Sequence, residues 1–295
     1  MTTRDLEIFV AVAELGTMSE AAKKLYIAPS SISQTILDIE KEYNTSLFVR
    51  MNKRLHITEK GEMLLSYAHH ILALNEEIEH RMREDIQSCI RIGATPSVGS
   101  AVAGDIIHEY QKEHPNVMVE LSTLHSGDTQ YRLRRGELDL GLVIHGRNLT
   151  TDLTSVPMVT DRVLLACGRD HPFASRTAIL PGELNGQPFI LRQRGSQMRE
   201  FYDNLIRTYD LQPKVLWTTS DAVAQKNAVI AGYGLALLSS CLTAQDRREN
   251  RLRLVEVSGM SFSRSFELVY HKSKFIHPDL KSFINTCQDY RKKLE

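Results

Sequence analysis

Residues 16–50 decide the fold of the first part of the chain; they read GTMSEAAKKLYIAPSSISQTILDIEKEYNTSLFVR. A first helical pattern stops at Gly16, and Thr17 or Ser19 can cap the next helix. The two adjacent alanines at 21 and 22 allow that helix to approach its neighbours closely. The stretch therefore predicts short helices packed against one another.

A third helix is predicted from Pro29, because proline favours the first helical turn. Its apolar face repeats at helical spacing through Ile32, Ile36, Ile39 and Tyr43. Downstream, residues 49–57 have the pattern of a short two-stranded wing that is locally basic.

A long amphipathic helix is predicted after the wing, with Thr58 as its cap. Its apolar positions recur every three or four residues and include Ile71, Leu74, Ile78 and Met82. A helix of this length has to bury its apolar stripe, and a second copy of the same helix is the simplest partner. The alternative is a helix buried in the core of a single chain.

Beyond Cys89 the chain alternates between strand and helix patterns, which predicts an α/β architecture with a mostly parallel sheet. Strands are predicted at 90–94, 117–124, 138–144, 162–167, 189–191, 214–218, 235–238 and 266–270. Helices are predicted at 100–111, 129–135, 198–209, 222–231 and 279–292. The number of elements is too large for one small sheet. The last strand, 266–270, and the last helix, 279–292, could return to the first half of the domain and close it, which predicts two hinged lobes.

The composition is that of an ordinary globular protein. Apolar residues make up 42% and charged residues 24% of the 295 residues, and 36 basic residues balance 36 acidic ones. Any nucleic-acid-binding surface must therefore be local. We read no transmembrane segment and no secretory signal, and expect a cytoplasmic protein whose four dispersed cysteines are reduced structural thiols.

A set of short motifs, by its order and spacing along nearly the full chain, resembles the LysR-type transcriptional regulators. In the first domain they are Phe9, Ala13, Gly16-Thr17, Ala21-Ala22, Leu25, Ile32-Ser33, Ile36, Glu40, Leu47-Phe48, Arg50, Thr58 and Gly61. Further along they are His114-Pro115, Arg135-Gly136-Glu137-Leu138-Asp139, His171-Pro172 and Gly232-Tyr233-Gly234-Leu235. The resemblance implies a winged helix-turn-helix, a linker helix and a two-lobed effector-binding domain similar to periplasmic binding proteins.

Four segments follow from this resemblance. They are a DNA-binding domain at 1–61, a linker and dimerisation helix at 62–89, lobe 1 at 90–160 with 266–295, and lobe 2 at 161–265. The chain departs from the family where the recognition helix usually begins Ser-Gln, since Ala28 and Pro29 stand there. This departure leaves the preferred DNA sequence open.

The candidate DNA-binding residues are short polar side chains on the third helix and cations on the wing. They are Thr17, Ser30, Ser31, Ser33, Gln34, Arg50, Lys53 and Arg54. Serine and glutamine at the start of a helix can bond phosphates and base edges, and the wing cations can reach phosphates or the minor groove. Alternatively, they form a solvated helix face and a solvated turn, because residues 1–61 carry eight cations against eight anions.

The candidate effector-binding residues lie where predicted strands end and helices begin. They are Ser97, Ser100, Ser126, His145, Ser196 and Thr219. Ligands bind in open α/β sheets at the carboxyl ends of strands, and helix N-termini favour anions, so we expect a small anionic effector between the lobes. Taken singly, each hydroxyl is better explained as an ordinary helix cap, and His145 could equally be a hydrogen-bonded histidine at the end of a strand.

No catalytic or metal-binding motif is found, so we expect neither an enzyme nor a resident cofactor or metal. The expected function is effector-controlled, sequence-specific transcription regulation. The expected partners are double-stranded DNA, a small molecule, a second copy forming dimers and tetramers, and RNA polymerase if the protein activates. The alternative is a cytoplasmic two-lobed solute-binding protein or enzyme that its N-terminal helices merely dimerise.

Overall fold

The structure is a computed structural model that describes residues 1–51, 54–82, 88–144 and 149–290, without the side chains of Met51, His80 and Arg81. Two of the candidate site residues, Lys53 and His145, lie outside the described residues.

Eleven α-helices are found in the described parts of the chain. They are α1 Thr3–Leu15, α2 Met18–Leu25, α3 Pro29–Glu42, α4 Glu59–Arg81, α5 Pro96–Val98, α6 Gly104–Glu113, α7 Ser126–Arg134, α8 Gln197–Tyr209, α9 Ala222–Ile230, α10 Ala244–Arg248 and α11 Pro278–Asp289. The single helix predicted at 100–111 was wrong at its start, because a π-helical turn, Gly99–Ala103, joins α5 to α6.

Twelve strands are found in the same described residues. They are β1 Phe48–Met51, β2 Arg54–Ile57, β3 Cys89–Ala94, β4 Met118–Thr123, β5 Leu140–Ile144, β6 Leu153–Gly168, β7 Ala178–Ile179, β8 Pro188–Arg192, β9 Lys214–Thr219, β10 Ala236–Ser239, β11 Leu252–Val257 and β12 Phe262–His271.

The first domain packs α1, α2 and α3 around one apolar core, with the β1–β2 hairpin as its wing. Ala21 and Ala22 are buried where α2 meets its neighbours, and Ile32, Ile36 and Ile39 bury one face of α3. The periodicity of the sequence predicted these elements correctly because each helix carries a local start signal: Thr17 caps α2, and Pro29 opens α3.

The main sheet is mixed, so the expectation of a mostly parallel sheet was wrong. Its order is β4-β3-β5-β12-β6-β11-β7, with β10 pairing β6 as well. Only β3, β4 and β5, and the short β11–β7 contact, are parallel within it. The strands β6 and β12 run in opposite directions because one carries the chain into lobe 2 and the other brings it back, and they pair along their length.

Each lobe has its own apolar core, and both cores flank β6 and β12. The first core is centred on Ile92, Leu142 and Phe266, and the second on Leu165 and Phe189. Both expected lobe boundaries, 160/161 and 265/266, fall inside the crossing strands, where Thr160 is paired with Ser265. The two strands therefore form the physical connection between the lobes.

The helix α4 leads from the winged domain to lobe 1 and contacts both. At its start, the Thr58 hydroxyl accepts a hydrogen bond from the Gly61 amide at 3.1 Å. A side chain at Gly61 would overlap the Leu47 carbonyl, and one at Gly136, which has φ +69°, would overlap Ala73 of α4. Only glycine allows these two close approaches.

Candidate DNA-binding face and effector cleft

The outward face of α3 is formed by residues opposite its buried isoleucines. Ser30, Ser31 and Gln34 are exposed, and Ser33 is half-buried on the flank of the helix. The Gln34 amide nitrogen donates to the Asp38 carboxylate at 2.8 Å, one turn further along the helix. The four candidate polar residues of α3 are therefore brought together on one accessible surface.

Thr17 has a structural role in the described geometry. Its side chain accepts a hydrogen bond from the Glu20 amide at 3.2 Å and so caps α2. A threonine in this position satisfies one of the free amides at the helix start. Its proposed contact with DNA remains a prediction.

The wing places two cations beside the recognition helix. Arg50 on β1 and Arg54 on β2 are exposed on neighbouring strands, where Met51 pairs with Arg54. The wing is held in place because the Leu55 amide donates to the Gly16 carbonyl at 3.0 Å and the Leu47 amide to the Glu40 carboxylate at 2.6 Å. Lys53, the third expected cation, lies outside the described residues.

Between the lobes lies a narrow cleft that draws on three distant parts of the sequence. Ser97 comes from lobe 1, Arg192 and Gln225 from lobe 2, and Arg264 from the crossing strand β12. The cavity is about 10 Å³, enough for about one water molecule. A larger ligand therefore has to open the lobes or displace side chains.

Arg264 is buried against a carboxylate that is itself fully bonded. Its Nε donates to Oδ2 of Asp161 at 2.8 Å, and Oδ1 of Asp161 accepts from the Ser239 hydroxyl at 2.7 Å and from the Cys241 amide at 3.1 Å. The Ser240 hydroxyl also donates to Oδ1, at 3.2 Å. This cluster, which we call the hinge cluster, fixes Arg264 at the base of the cleft.

Arg192 is the cation of the cleft whose bonding is incomplete. One Nη donates to the Ser220 carbonyl at 2.5 Å, while its buried Nε has no hydrogen-bond partner. Burial lowers the pKa of Arg192, and the nearby positive charge of Arg264 acts in the same direction, against the attraction of Asp221. An arginine remains charged under such conditions, so an anion placed here would relieve an electrostatic cost.

The remaining expected effector residues are arranged less favourably. Ser100 and Ser126 are exposed. The Ser196 hydroxyl caps α8, because it accepts a hydrogen bond from the Arg199 amide at 3.2 Å. The Thr219 hydroxyl accepts a hydrogen bond from the Asp221 amide at 3.0 Å. His145 lies outside the described residues. Of the five that the structure describes, Ser97 lines the cleft cavity.

Sequence reasoning missed Arg192, Gln225 and Arg264. Arg192 ends strand β8, four residues before the candidate Ser196, and its place at the end of a strand was the available signal. The amide nitrogen of Gln225 donates to the Ile190 carbonyl at 2.8 Å inside lobe 2. Nothing local marks Arg264, because its place in the cleft depends on the return of β12 from lobe 2.

The apolar stripe of α4 is accessible in the single chain. Ile78 and Met82 are 60% and 79% exposed, Ile71 is exposed, and Leu74 is half-buried. Beside it, a groove of about 430 Å³ runs between α4 and the winged domain. Its apolar lining includes Met1, Tyr43, Leu47, Met63, Leu64, Tyr67 and Ile71.

The cysteines have the environment of structural thiols. All four are free, and three of them, Cys167, Cys241 and Cys287, are buried. Burial raises the pKa of Cys167 to about 11 and that of Cys241 to about 12, so both are protonated at neutral pH.

The described residues contain neither a metal-binding cluster nor a membrane-spanning helix. No group of three His, Cys, Asp or Glu side chains there is arranged to hold a metal ion. Within the same residues, no helix has the length and apolarity that crossing a membrane requires.

A winged helix-turn-helix joined by a long helix to a two-lobed α/β domain with a basic cleft defines the class of ligand-responsive DNA-binding regulators. Two family profiles agree with this geometry. "Bacterial regulatory helix-turn-helix protein, lysR family" matches residues 3–62, and "LysR substrate binding domain" matches residues 83–292. The chain belongs to the LysR family of transcriptional regulators, which confirms the resemblance found in the sequence and excludes the enzyme alternative.

Relatives and solved structures extend over almost the whole chain. The uncharacterised HTH-type transcriptional regulator YeiE of Escherichia coli K12 is 29% identical over 287 residues, 97% of each chain. The regulator CysL of Bacillus subtilis is 27% identical over 268 residues, 90% of this chain and 89% of CysL. Full-length LysG from Corynebacterium glutamicum, with bound effector Arg, has a TM-score of 0.70 at 16% identity and covers 99% of both chains. ArgP from Mycobacterium tuberculosis also has a TM-score of 0.70, at 19% identity, covering 97% of this chain and 96% of ArgP.

Proposed function

We propose that this LysR-type regulator binds a small anionic effector in the cleft between its lobes, through Arg192, Arg264 and Ser97. It does so as a cytoplasmic homo-oligomer that holds DNA with α3 and the wing. Where it activates transcription, RNA polymerase is a further partner.

The observation that carries the anionic effector is the incomplete bonding of Arg192. A buried guanidinium N–H without an acceptor costs free energy, and an effector oxygen can supply the acceptor. Asp161, the buried carboxylate near the cleft, already accepts from four donors and is poorly placed to repel an anion. Arg192 therefore keeps a buried N–H, on Nε, from which an effector oxygen can accept.

The position of the cleft supports a coupling between effector and DNA. Ser97 belongs to lobe 1, Arg192 to lobe 2, and Arg264 to a strand shared by both. An anion that contacts all three favours one angle between the lobes, and a ligand shifts a conformational equilibrium by its difference in affinity for the two states. LysG, a regulator of similar fold, has a small-molecule effector bound, arginine.

Self-association is supported by two exposed apolar regions. The stripe of Ile71, Leu74, Ile78 and Met82 on α4 suits a dimer seam. The edge strands β4 and β9 also expose apolar side chains, among them Leu121 and Trp217. Unpaired apolar edges invite a second contact between copies, as a tetramer requires. The charged variant Ile78→Glu should lose dimerisation and DNA binding together, whereas a variant that stays dimeric by light scattering would place the seam elsewhere.

The effector proposal can be tested with a pair of arginines two residues apart. A metabolite screen by thermal melting is run on the parent, Arg192→Gln and Arg194→Gln, since Arg194 is exposed and does not line the cavity. Anionic ligands should raise the Tm of the parent and of Arg194→Gln but not that of Arg192→Gln. Equal shifts in all three proteins would refute the role of Arg192, and stabilisation by neutral ligands alone would refute the anionic class.

DNA binding is tested by sequencing genomic fragments that the purified protein retains. Enriched sequences are expected, and retention without enrichment would contradict sequence-specific binding by this chain. For the wing, Arg54→Ala should weaken binding similarly on all sites and reduce the salt dependence by about one unit of slope per lost phosphate contact. An unchanged slope would contradict a phosphate contact by Arg54.

A further inference from the structure

The outward face of α3 carries one large apolar side chain among its polar residues. Leu37 is 55% exposed there, one turn after Gln34 and two turns after Ser30 on the same side of the helix. The buried isoleucines of α3 occupy the opposite side. Leu37 consequently lies outside the core of the winged domain and extends the exposed polar face of α3 by one turn.

The polar groups next to Leu37 bond to each other. The Gln34 amide nitrogen donates to Asp38 at 2.8 Å. Glutamine reads adenine with both its oxygen and its nitrogen, and the bond to Asp38 occupies part of that capacity. Direct readout by this helix therefore cannot depend on a free glutamine alone.

The helix also lacks the usual reader of guanine. Guanine is recognised by arginine or lysine that reaches O6 and N7 in the major groove. The segment Pro29–Glu42 contains no arginine, and its one lysine, Lys41, is in the last turn. Since a recognition helix contacts base edges mainly with its N-terminal residues, Lys41 is better placed for a phosphate.

Thymine offers the group that an aliphatic side chain can read, the C5-methyl in the major groove. We propose that Leu37 contacts a thymine methyl in each half-site and is a specificity-determining residue of this regulator. This inference rests on the proposed role of α3 as the DNA-reading helix. It follows that the major-groove preference at this position is for thymine, with no matching guanine contact from α3.

The test uses deoxyuridine, which pairs as thymine does but lacks the methyl group. A binding site is first selected from random duplexes with the full-length parent protein. Each thymine of the selected site is then replaced singly by deoxyuridine, and dissociation constants are measured for the parent, Leu37→Ala and Leu180→Ala. Leu180 is a matched control because it is 62% exposed in lobe 2, far along the chain from α3.

The parent should lose about three- to fivefold in affinity at one thymine per half-site, the effect of one buried methyl group. Leu37→Ala should bind the thymine site more weakly and show no further loss with deoxyuridine at that position. Leu180→Ala should behave as the parent does. Because Leu37 is exposed, its replacement should leave the melting temperature unchanged.

The outcomes separate this inference from the function on which it rests. Failure to select any sequence would refute DNA reading by α3 itself. A selected site whose affinity is indifferent to every deoxyuridine, or full sensitivity retained by Leu37→Ala, would refute the thymine contact while leaving sequence-specific binding intact.

Discussion

At the hinge between the lobes, the buried Asp161 carboxylate accepts hydrogen bonds from Arg264, Ser239, Ser240 and the Cys241 amide. At the junction of α4 with lobe 1, His70 and His271 are also buried, and their rings contact each other with centroids 3.7 Å apart and planes tilted by 43°. Neither ring nitrogen of His70 has a hydrogen-bond partner, and Nε2 of His271 has none either. We call these two histidines and their surroundings the junction cluster.

The tautomer of His271 shows that the junction cluster, unlike the hinge cluster, contains an unsatisfied donor. Its Nδ1 accepts from the Ser273 amide at 3.2 Å, so in the neutral ring the proton is on Nε2. That N–H lies 3.9 Å from Oδ2 of Asp152, too far for a hydrogen bond. A buried donor is thus left without an acceptor.

The junction is held by ion pairs around its histidines. Nζ of Lys274 is 2.9 Å from Glu77 on α4 and 2.8 Å from Asp139 in lobe 1. Although burial opposes it, Lys274 and Arg91 lower the pKa of Asp139. Arg135 of lobe 1 also pairs with Glu14 of α1. The buried carboxylate of the hinge cluster has its hydrogen bonds satisfied, whereas the junction combines buried ion pairs with histidine nitrogens that lack partners. We therefore expect α4 to separate from lobe 1 more easily than the two crossing strands separate from each other.

The largest expected effect is the loss of the carboxylate at the hinge. Asp161→Ala leaves the Arg264 guanidinium buried without its partner and should cost about 3–5 kcal/mol of unfolding free energy in urea. The control Glu256→Ala removes an exposed partner of Arg162 and should cost less than about 1 kcal/mol. Similar losses in the two variants would contradict the view that the hinge cluster is a main source of stability.

The next effect concerns the tie across the junction. Lys274→Met should loosen α4 from lobe 1 at a cost of about 2 kcal/mol, less than at the hinge because Asp139 keeps Arg91. Amide hydrogen exchange of α4 is the direct measurement, and it should accelerate. Lys112→Met, which breaks an exposed pair with Glu109, is the control and should leave exchange of α4 unchanged.

The same substitution on both sides gives a matched comparison. Ser239→Ala removes a donor to Asp161 and an acceptor for the Leu242 amide, and should cost about 1.5 kcal/mol. The Ser66 hydroxyl donates to Asp152 at 3.4 Å, so Ser66→Ala should change stability by less than about 0.5 kcal/mol. A larger loss at Ser66 would reverse the ranking of hinge and junction.

The smallest effect is the pH dependence of the junction. Burial lowers the pKa of His70 from 6.5 to about 4, with the charges of His271 and Lys274 acting in the same direction and Asp152 opposing them. Burial also lowers the pKa of His271, against the attraction of Asp152, and the charge of Arg134 acts in the same direction as burial. Glu77 pairs with Lys274, and Lys272 lines a surface pocket together with His271.

The sign follows from the proton uptake of the separated state. In the docked state α4 packs on lobe 1 and buries His70, and in the separated state His70 is in water. Well above pH 6.5 His70 is neutral in both states, and between pH 6.5 and about 4 it binds a proton mainly in the separated state. Docking should therefore weaken as the pH falls, by about tenfold from about pH 7.5 to about 5.5 for His70 alone. His70→Phe should reduce this slope in pH-dependent unfolding, and His108→Phe, at an exposed histidine, should not. An identical slope in both variants would contradict the assignment to the junction.

The sequence predicted the winged domain well because its signals are local. Thr17, Pro29 and the isoleucine repeat of α3 act within one or two helical turns, so their pattern is visible without any distant contact. The alternation of strands and helices likewise predicted an α/β domain. The direction of the strands was predicted wrongly. The strands β6 and β12 pair antiparallel because the chain returns from lobe 2 about a hundred residues later, and no local pattern shows that return.

By itself, the sequence determined the polar face of α3, because short-range periodicity and capping encode it. Its motifs, compared with those of a known family, indicated the family and the order of the domains. The tertiary structure alone decided which side chains share the cleft. Ser97, Arg192 and Arg264 come together only when two lobes close on a pair of crossing strands, and the contact of His70 with His271 requires α4 to dock on lobe 1. Such long-range contacts are set by the packing of whole elements, and no local pattern in the chain specifies them.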